Sequence, residues 1–134
     1  MQQLRVKDYM VTRVHTLEPD RDMVEAIAEF AKLGISGAPV VDERRNLLGM
    51  LSDTDCMDAM LKAGMDPAWR ATVATYMTKD VETVDAESSL IDVAQRFLQR
   101  RFRRFPVVDD NQLVGQISRL DVLKAIGDIK RGFA

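Results

Sequence analysis

The chain has 134 residues, of which 46% are hydrophobic and 30% are charged; this is the composition of one compact domain or two fused half-domains, and it excludes a disordered or fibrous chain. A formal net charge of −2 excludes the basic field of non-specific nucleic-acid binding, so no nucleic-acid partner is expected. The single cysteine, Cys56, excludes an internal disulfide, and no signal-like segment or membrane span is recognised. We therefore expect a cytoplasmic protein.

The first half of the chain predicts a β-α-β-β-α unit. A short helical turn around Tyr9 precedes the first strand, and Asp20 is the predicted N-cap of the first helix. A polar turn at 42–46 joins the second and third strands. The predicted elements are a strand at 14–17, a helix with the apolar face Met23, Ala26, Ile27, Phe30 and Leu33, strands at 38–41 and 47–51, and a helix at 53–63.

The second half repeats the first at an offset of 67 residues, which becomes 66 after the second turn. The segment at 6–10 reappears at 73–77, and the Pro-Val-Val-Asp sequence at Pro39 reappears at Pro106. Residues 64–72 join the halves, with Trp69 predicted to anchor the joint. The repeated elements are a strand at 81–84, a helix capped by Ser88 with the face Leu90, Val93, Ala94, Phe97 and Leu98, strands at 105–108 and 113–117, and a helix at 119–126.

These repeats predict an α+β (α/β-like) fold of two β-α-β-β-α motifs, at residues 1–66 and 67–134. A half of this size buries only a limited core, so we expect the two halves to pack together with pseudo-twofold symmetry. Clefts between the halves are the expected ligand sites.

Both halves contain the pattern Gly-x-apolar-Ser-x-x-Asp at a strand-to-helix junction, at 49–55 and 115–121. A serine at a helix start lies beside backbone N–H groups and the positive end of the helix dipole, which suit an anion. An aspartate three residues later is able to accept hydrogen bonds from a ribose diol. The same pattern is also a capping box, and it is the repetition that favours ligand binding.

With these motifs found twice, the chain resembles a tandem pair of CBS motifs, or Bateman module, similar to stand-alone prokaryotic CBS-domain proteins. The resemblance implies a regulatory sensor that binds AMP, ADP, ATP or S-adenosylmethionine in the clefts and modulates an unidentified partner protein. It also implies that the junction aspartate holds the ribose and the junction serine lies near the phosphate. The base would lie near the first strand and the start of the Pro-Val strand.

Carried onto this sequence, the resemblance implies two sets of ligand-binding residues, one for each motif. The motif 1 set is Thr16, Leu17, Ser36, Gly37, Ala38, Ser52, Asp53 and Asp55. The motif 2 set is Thr83, Val84, Arg103, Arg104, Phe105, Ser118, Arg119 and Asp121.

Charge distinguishes the two predicted sites. Arg103, Arg104 and Arg119 lie near the second junction, whereas Asp53 lies at the first. Arginine favours phosphate and an added carboxylate opposes it, so we expect the second site to bind a phosphorylated nucleotide and the first to be weaker, empty or selective for a less negative ligand. The alternative is that the arginines form only a solvated helix end.

No catalytic constellation is recognised, so we predict that the chain is not an enzyme and has no obligatory cofactor or metal site. His15 is interpreted as exposed or capping, and Cys56 as a small core residue. The resemblance implies a homodimer assembled through the final helices. A ligand-independent dimerisation or scaffold protein with vestigial clefts is the alternative function. The residues that could form the dimer surface are Met57, Met60, Leu61, Leu123 and Ile126.

Overall fold

The computed structural model describes residues 4–132, which divide into two compact units. The first unit is residues 15–81; the second combines residues 4–14 with residues 82–132. Residues 4–14 therefore pack with the second repeat, and residues 67–81 pack with the first. Packing divides the chain between residues 14 and 15 and between residues 81 and 82. The boundary at residues 66 and 67 separates the repeated sequence motifs and stays a prediction.

The first unit contains a two-stranded antiparallel sheet and three helices. Its sheet is extended by single bridges on both sides: Leu17 pairs in parallel with Val40, and Thr78 pairs antiparallel with Met50. The elements are α1 (Met23–Leu33), β1 (Gly37–Val41), β2 (Leu47–Ser52), α2 (Asp53–Ala63) and α3 (Val73–Tyr76).

The second unit repeats this arrangement with a three-stranded sheet. A 3₁₀ turn at Val6–Asp8 takes the place of α3, and Val11 pairs antiparallel with Gln116. The parallel strand is longer here than its counterpart at Leu17. The elements are β3 (Val84–Asp85), α4 (Leu90–Gln99), β4 (Arg104–Asp109), β5 (Gln112–Ser118) and α5 (Arg119–Lys130), with the strand order β3-β4-β5. The predicted α+β class and its two repeats are confirmed.

Each unit has its own apolar core. In the first unit Cys56 is buried as predicted, and Trp69 packs against the core. Leu33 and Leu98 were predicted on the buried helix faces, but they are 49% and 86% exposed because each lies in the last turn of its helix. No helix between residues 4 and 132 is long and apolar enough to cross a bilayer.

Several predicted element ends are wrong by a few residues. The N-caps are Asp22 and Ser89, which accept hydrogen bonds from the backbone N–H groups of Glu25 and Asp92, and Asp20 and Ser88 precede them in turns. α1 begins at Met23, whose N–H donates to the Ala71 carbonyl at 2.8 Å. The predicted strand at 14–17 forms only the bridge at Leu17, the strand predicted at 81–84 begins only at its last residue, and α5 continues four residues past the predicted end.

The repeated glycine of each junction lets an incoming segment cross the last strand at close range. The Met50 and Thr78 backbones exchange two hydrogen bonds of 2.9 Å, and Val11 and Gln116 exchange two of 2.8 and 2.9 Å. A Cβ on Gly115 would lie 2.8 Å from the Val11 carbonyl oxygen and 2.8 Å from Met10 Sδ. This contact explains why the Tyr-Met segment and the junction glycine repeat together.

We predict that Gly115→Ala destabilises the protein by about 1–3 kcal/mol, because the added methyl group must displace backbone. Gly127→Ala in α5 is the matched control: no atom lies within 4 Å of the position, so we expect a stabilisation of about 0.5–1 kcal/mol from helix propensity. Urea unfolding of both variants measures the two changes. Equal stability of the two variants would contradict the assigned role of the close crossing.

Candidate functional site

The serine and aspartate of each junction form a complete capping box, at the start of α2 in the first unit and of α5 in the second. In the first unit Ser52 N–H donates to Asp55 Oδ2 at 2.9 Å, and Asp55 N–H donates to Ser52 Oγ at 3.1 Å. In the second unit the corresponding distances between Ser118 and Asp121 are 2.8 and 3.2 Å. The capping interpretation of the motif is therefore correct as a description of local structure.

Capping does not use the whole carboxylate. Only Oδ2 of Asp55 and Oδ2 of Asp121 accept hydrogen bonds within residues 4–132, so each Oδ1 keeps its lone pairs. Both aspartates are partly exposed. Each capping box thus fixes a carboxylate whose second oxygen is able to accept hydrogen bonds from hydroxyl groups, and the capping and binding interpretations are compatible.

A backbone hydrogen bond brings the start of the Pro-Val strand to each junction. The Asp53 N–H donates to the Ser36 carbonyl at 2.9 Å, and the Arg119 N–H donates to the Arg103 carbonyl at 3.1 Å. Gly37 pairs with Ser52 and Arg104 pairs with Ser118. Residues 36–38 and 52–55 of the first unit therefore lie side by side, as do their counterparts 103–105 and 118–121 of the second.

Four of the predicted base-facing residues have buried side chains: Leu17, Ala38, Val84 and Phe105 are at most 2% exposed. These side chains belong to the two cores, so they shape the site and a ligand would meet only the backbone there. Thr16, Thr83 and Gly37 are partly exposed, and Ser36 is exposed.

The two helix starts differ in charge and in free hydrogen-bond donors. Asp53 Oδ1 accepts from the Thr54 N–H at 2.8 Å, so an acid of the first unit already occupies its helix start. At the equivalent point of the second unit, the Leu120 N–H has no acceptor in the described part of the chain. This free donor at the positive end of the α5 dipole favours an anion there.

The arginines near the second junction have different partners. Arg103 and Arg104 make no side-chain hydrogen bond or ion pair with residues 4–132, and Arg103 is exposed. Arg119, by contrast, donates to the carbonyls of Phe102, Phe97 and Arg100 at 2.8, 2.9 and 3.1 Å. The Arg119 guanidinium therefore caps the C-terminus of α4, and only its Nη1 group is left for a ligand.

Sequence reasoning missed an ion pair in each unit. His15 Nε2 lies 2.7 Å from Glu29 Oε2, and Arg96 Nη2 lies 2.9 Å from Glu82 Oε1. His15 is exposed, which agrees with its interpretation from the sequence, and its partner Glu29 lies 14 residues away on α1. The offset of 67 residues relates the two pairs and could have revealed them.

An apolar groove of about 720 Å³ lies between α1 and α2 in the first unit. Met57, Met60 and Leu61 border it and are 64%, 55% and 84% exposed. Cys56 also lines the groove, and burial, with Asp55 and Asp53 nearby, raises the pKa of its thiol. Within the described ranges no three His, Cys, Asp or Glu side chains are grouped to hold a metal ion.

Fold and junctions together define an α+β protein built of two repeated units, each containing one capped strand-to-helix junction. A family model for the CBS domain matches residues 6–62 and 73–128. The chain belongs to the CBS domain family.

Relatives and solved structures agree with this assignment. The CBS domain-containing protein YhcV of Bacillus subtilis is 33% identical over 124 residues, which is 92% of this chain and 81% of YhcV. The structure of CBSX2 in complex with AMP has a TM-score of 0.80 and 31% identity, covering 95% of this chain and 98% of that one. The CBS domain pair of MJ0100, in complex with 5′-methylthioadenosine and S-adenosyl-L-methionine, has a TM-score of 0.73 and 25% identity, covering 96% and 99%.

Some curated relatives are longer than this chain. An uncharacterized protein of Methanocaldococcus jannaschii is 33% identical over 122 residues, and CBSX2 of Arabidopsis thaliana is 29% identical over 154 residues. These alignments cover 91% and 94% of this chain but 42% and 65% of the relatives.

Proposed function

We propose that the protein is a regulatory module that binds adenosine-containing ligands through the junctions of both units and modulates a partner protein. The observation that carries the proposal is the carboxylate fixed by each capping box, with Oδ1 of Asp55 and of Asp121 unused by residues 4–132. A ribose diol supplies two hydroxyl donors for such an oxygen. Complexes of CBSX2 with AMP and of the MJ0100 pair with adenosine derivatives support this ligand class.

The proposal gives the two junctions different ligands. In the second unit the Leu120 N–H has no acceptor, and the Arg103 and Arg104 side chains have no hydrogen-bond or ion-pair partner, in the described part of the chain. One free donor and two cations favour a phosphorylated nucleotide such as AMP, ADP or ATP. In the first unit Asp53 fills the helix start with negative charge, which favours a ligand of less negative charge, such as S-adenosylmethionine.

The proposal places the module in a reducing cytoplasm, because the single cysteine is buried and unpaired. It assigns the chain no catalytic role, since the junction residues hold a ligand and no nucleophile is paired with a base there among residues 4–132. The ligand controls a partner only as far as it binds one conformation more tightly than another.

We predict that Asp121→Asn weakens AMP binding by about tenfold or more, because the amide oxygen keeps the capping bond while the other oxygen becomes a donor. Asp92→Asn is the matched control, with the same charge change in the first turn of α4. Isothermal titration with AMP measures both affinities. In the parent protein, AMP at about 100 times its Kd should add about 2.7 kcal/mol of stability.

A parent protein that is not stabilised by AMP, ADP, ATP or S-adenosylmethionine would contradict the proposed function and support a ligand-independent scaffold. Equal AMP affinities of the Asp121→Asn and Asp92→Asn variants would contradict the role of the junction aspartate while leaving ligand binding in place.

We predict that Arg103→Ala combined with Arg104→Ala weakens ATP binding by about three- to tenfold while leaving adenosine binding unchanged, because both cations contact only the phosphates in the proposed complex. Arg101→Ala is the control for loss of one exposed charge in the same segment. Parallel titrations with ATP and adenosine separate the two effects. Unchanged ATP affinity would show that these arginines form only a solvated helix end.

The proposed assembly is a homodimer that buries the groove between α1 and α2. Met57, Met60 and Leu61 give this groove an exposed apolar border, which is typical of a protein interface. Leu123 and Ile126 of α5 are 63% and 42% exposed and supply a further apolar face.

We predict that Met60→Asp converts the dimer to a monomer, because a carboxylate would be buried without a partner in the interface. Met65→Asp is the control: Met65 is 98% exposed and lies past the end of α2, outside the residues that line the groove. Sedimentation equilibrium gives the mass of each protein. A monomeric parent protein, or a dimeric Met60→Asp variant, would contradict this interface.

A further inference from the structure

The first long helix is closed differently in the two units. In the first unit α1 ends at Gly34, which has a left-handed φ of 66°, and the Phe30 carbonyl accepts from the backbone N–H groups of Gly34 and Ile35. In the second unit the position that corresponds to Gly34 is Arg101, and α4 ends at the extended residue Arg100. Without a glycine cap, the last carbonyls of α4 need a different donor.

The Arg119 side chain is this donor. Its Nη2 donates at 2.9 Å to the carbonyl of Phe97, the residue that corresponds to Phe30 in the repeat. The same nitrogen donates to the Arg100 carbonyl at 3.1 Å, and Nε donates to the Phe102 carbonyl at 2.8 Å. The guanidinium also lies 5.7 Å from the ring centroid of Phe97, which is buried, so the Arg119 side chain packs against the core of its unit.

Arg119 also holds the segment between α4 and β4. Its backbone N–H donates to the Arg103 carbonyl at 3.1 Å, so two consecutive carbonyls, those of Phe102 and Arg103, are bound by one residue. Within residues 4–132 the backbone of residues 101–103 makes no other hydrogen bond. The next residue, Arg104, pairs with Ser118. The placement of this segment beside the start of α5 therefore depends on Arg119.

The first unit has no equivalent of this attachment. Asp53 occupies the position that corresponds to Arg119, and its carboxylate accepts from the neighbouring Thr54 N–H at 2.8 Å. The Phe30 carbonyl is already bound by the backbone of Gly34 and Ile35. The exchange of aspartate for arginine between the units thus changes how the preceding segment is held as well as the charge of the junction.

We propose that Arg119 is a positioning residue for the second junction, because it holds the segment that carries Arg103 and Arg104 against the start of α5. This inference rests on the proposed function, in which Arg103 and Arg104 contact the phosphates. A segment that is held before the ligand arrives loses less conformational entropy on binding. Adenosine has no phosphate for these cations, so Arg119 contributes to the selectivity for phosphorylated ligands and not to the binding of the nucleoside.

The test compares Arg119→Lys with the parent protein in titrations with ATP and with adenosine. Lysine keeps the positive charge, but its single nitrogen lacks the planar fork that reaches separate carbonyls. We expect ATP affinity to fall about three- to tenfold and adenosine affinity to stay unchanged. Lys124→Ala is the control, since it removes an exposed cation from the same helix.

A double-mutant cycle separates positioning from a direct phosphate contact and from a general loss of structure. When Arg103→Ala and Arg104→Ala are already present, Arg119→Lys should weaken ATP binding no further, because the cations that it positions are gone. An equal loss of ATP affinity in both backgrounds overturns the positioning role. Equal losses for ATP and adenosine, or an Arg119→Lys variant that binds ATP as the parent does, also overturn it.

Amide hydrogen exchange of the ligand-free protein measures the attachment itself. The Arg100 N–H donates to the Arg96 carbonyl at 2.9 Å, and we expect its protection factor to fall about three- to tenfold in Arg119→Lys. The Ile35 N–H of the first unit is the internal control. Unchanged Arg100 protection overturns the inference whatever binds. Lowered protection in a protein whose parent binds neither ATP nor adenosine overturns the proposed function, and with it the ligand role of Arg119, while it confirms the attachment.

Discussion

The structure depends on one backbone hydrogen bond that occurs once in each unit. The N–H of the first residue of α2 or α5 donates to the carbonyl just before the Pro-Val strand, from Asp53 to Ser36 and from Arg119 to Arg103. This bond, with the capping box beside it, makes the helix begin directly at the end of β2 or β5, with no connecting loop. The strand start, the serine and the aspartate are therefore held within a single turn, and neighbouring side chains then determine which ligand is favoured.

Local sequence signals predicted this junction well. Glycine, serine and aspartate at fixed spacing are sufficient to place a strand end, a helix start and a capping box, because all three act within a few residues of one another. The core was also predicted at most positions, since helix periodicity placed Met23, Ala26 and Phe30 inward. Leu33 and Leu98 are exceptions, because both lie in the last turn of their helices and are exposed.

Features that depend on distant partners could not be predicted in the same way. The strand expected at 14–17 is reduced to the Leu17 bridge, and its length is determined by pairing with β1 and not by the propensity of Val14. The contacts of Arg119 with three carbonyls at and just after the end of α4 were not predicted, because no local pattern shows that those carbonyls need a donor. Which residues make up each unit was also not predicted. Residues 4–14 pack with the second repeat and residues 67–81 with the first, and the residue spacing of the repeats does not reveal this exchange of segments.

That exchange makes the first unit an insertion within the second, in the sense of chain connectivity. Residues 15–81 are contiguous, whereas the second unit is completed only when residues 4–14 and 82–132 meet. During synthesis the early segment cannot form its hydrogen bonds with Ser88 and Gln116 until most of the chain has been made. The Tyr9 hydroxyl donates to Asp128 Oδ2 at 3.2 Å, so an early and a late segment of the described chain meet in that unit. A circular permutant that links the late segment to the early one and opens the chain between residues 14 and 15 would make both units contiguous and remove the delay.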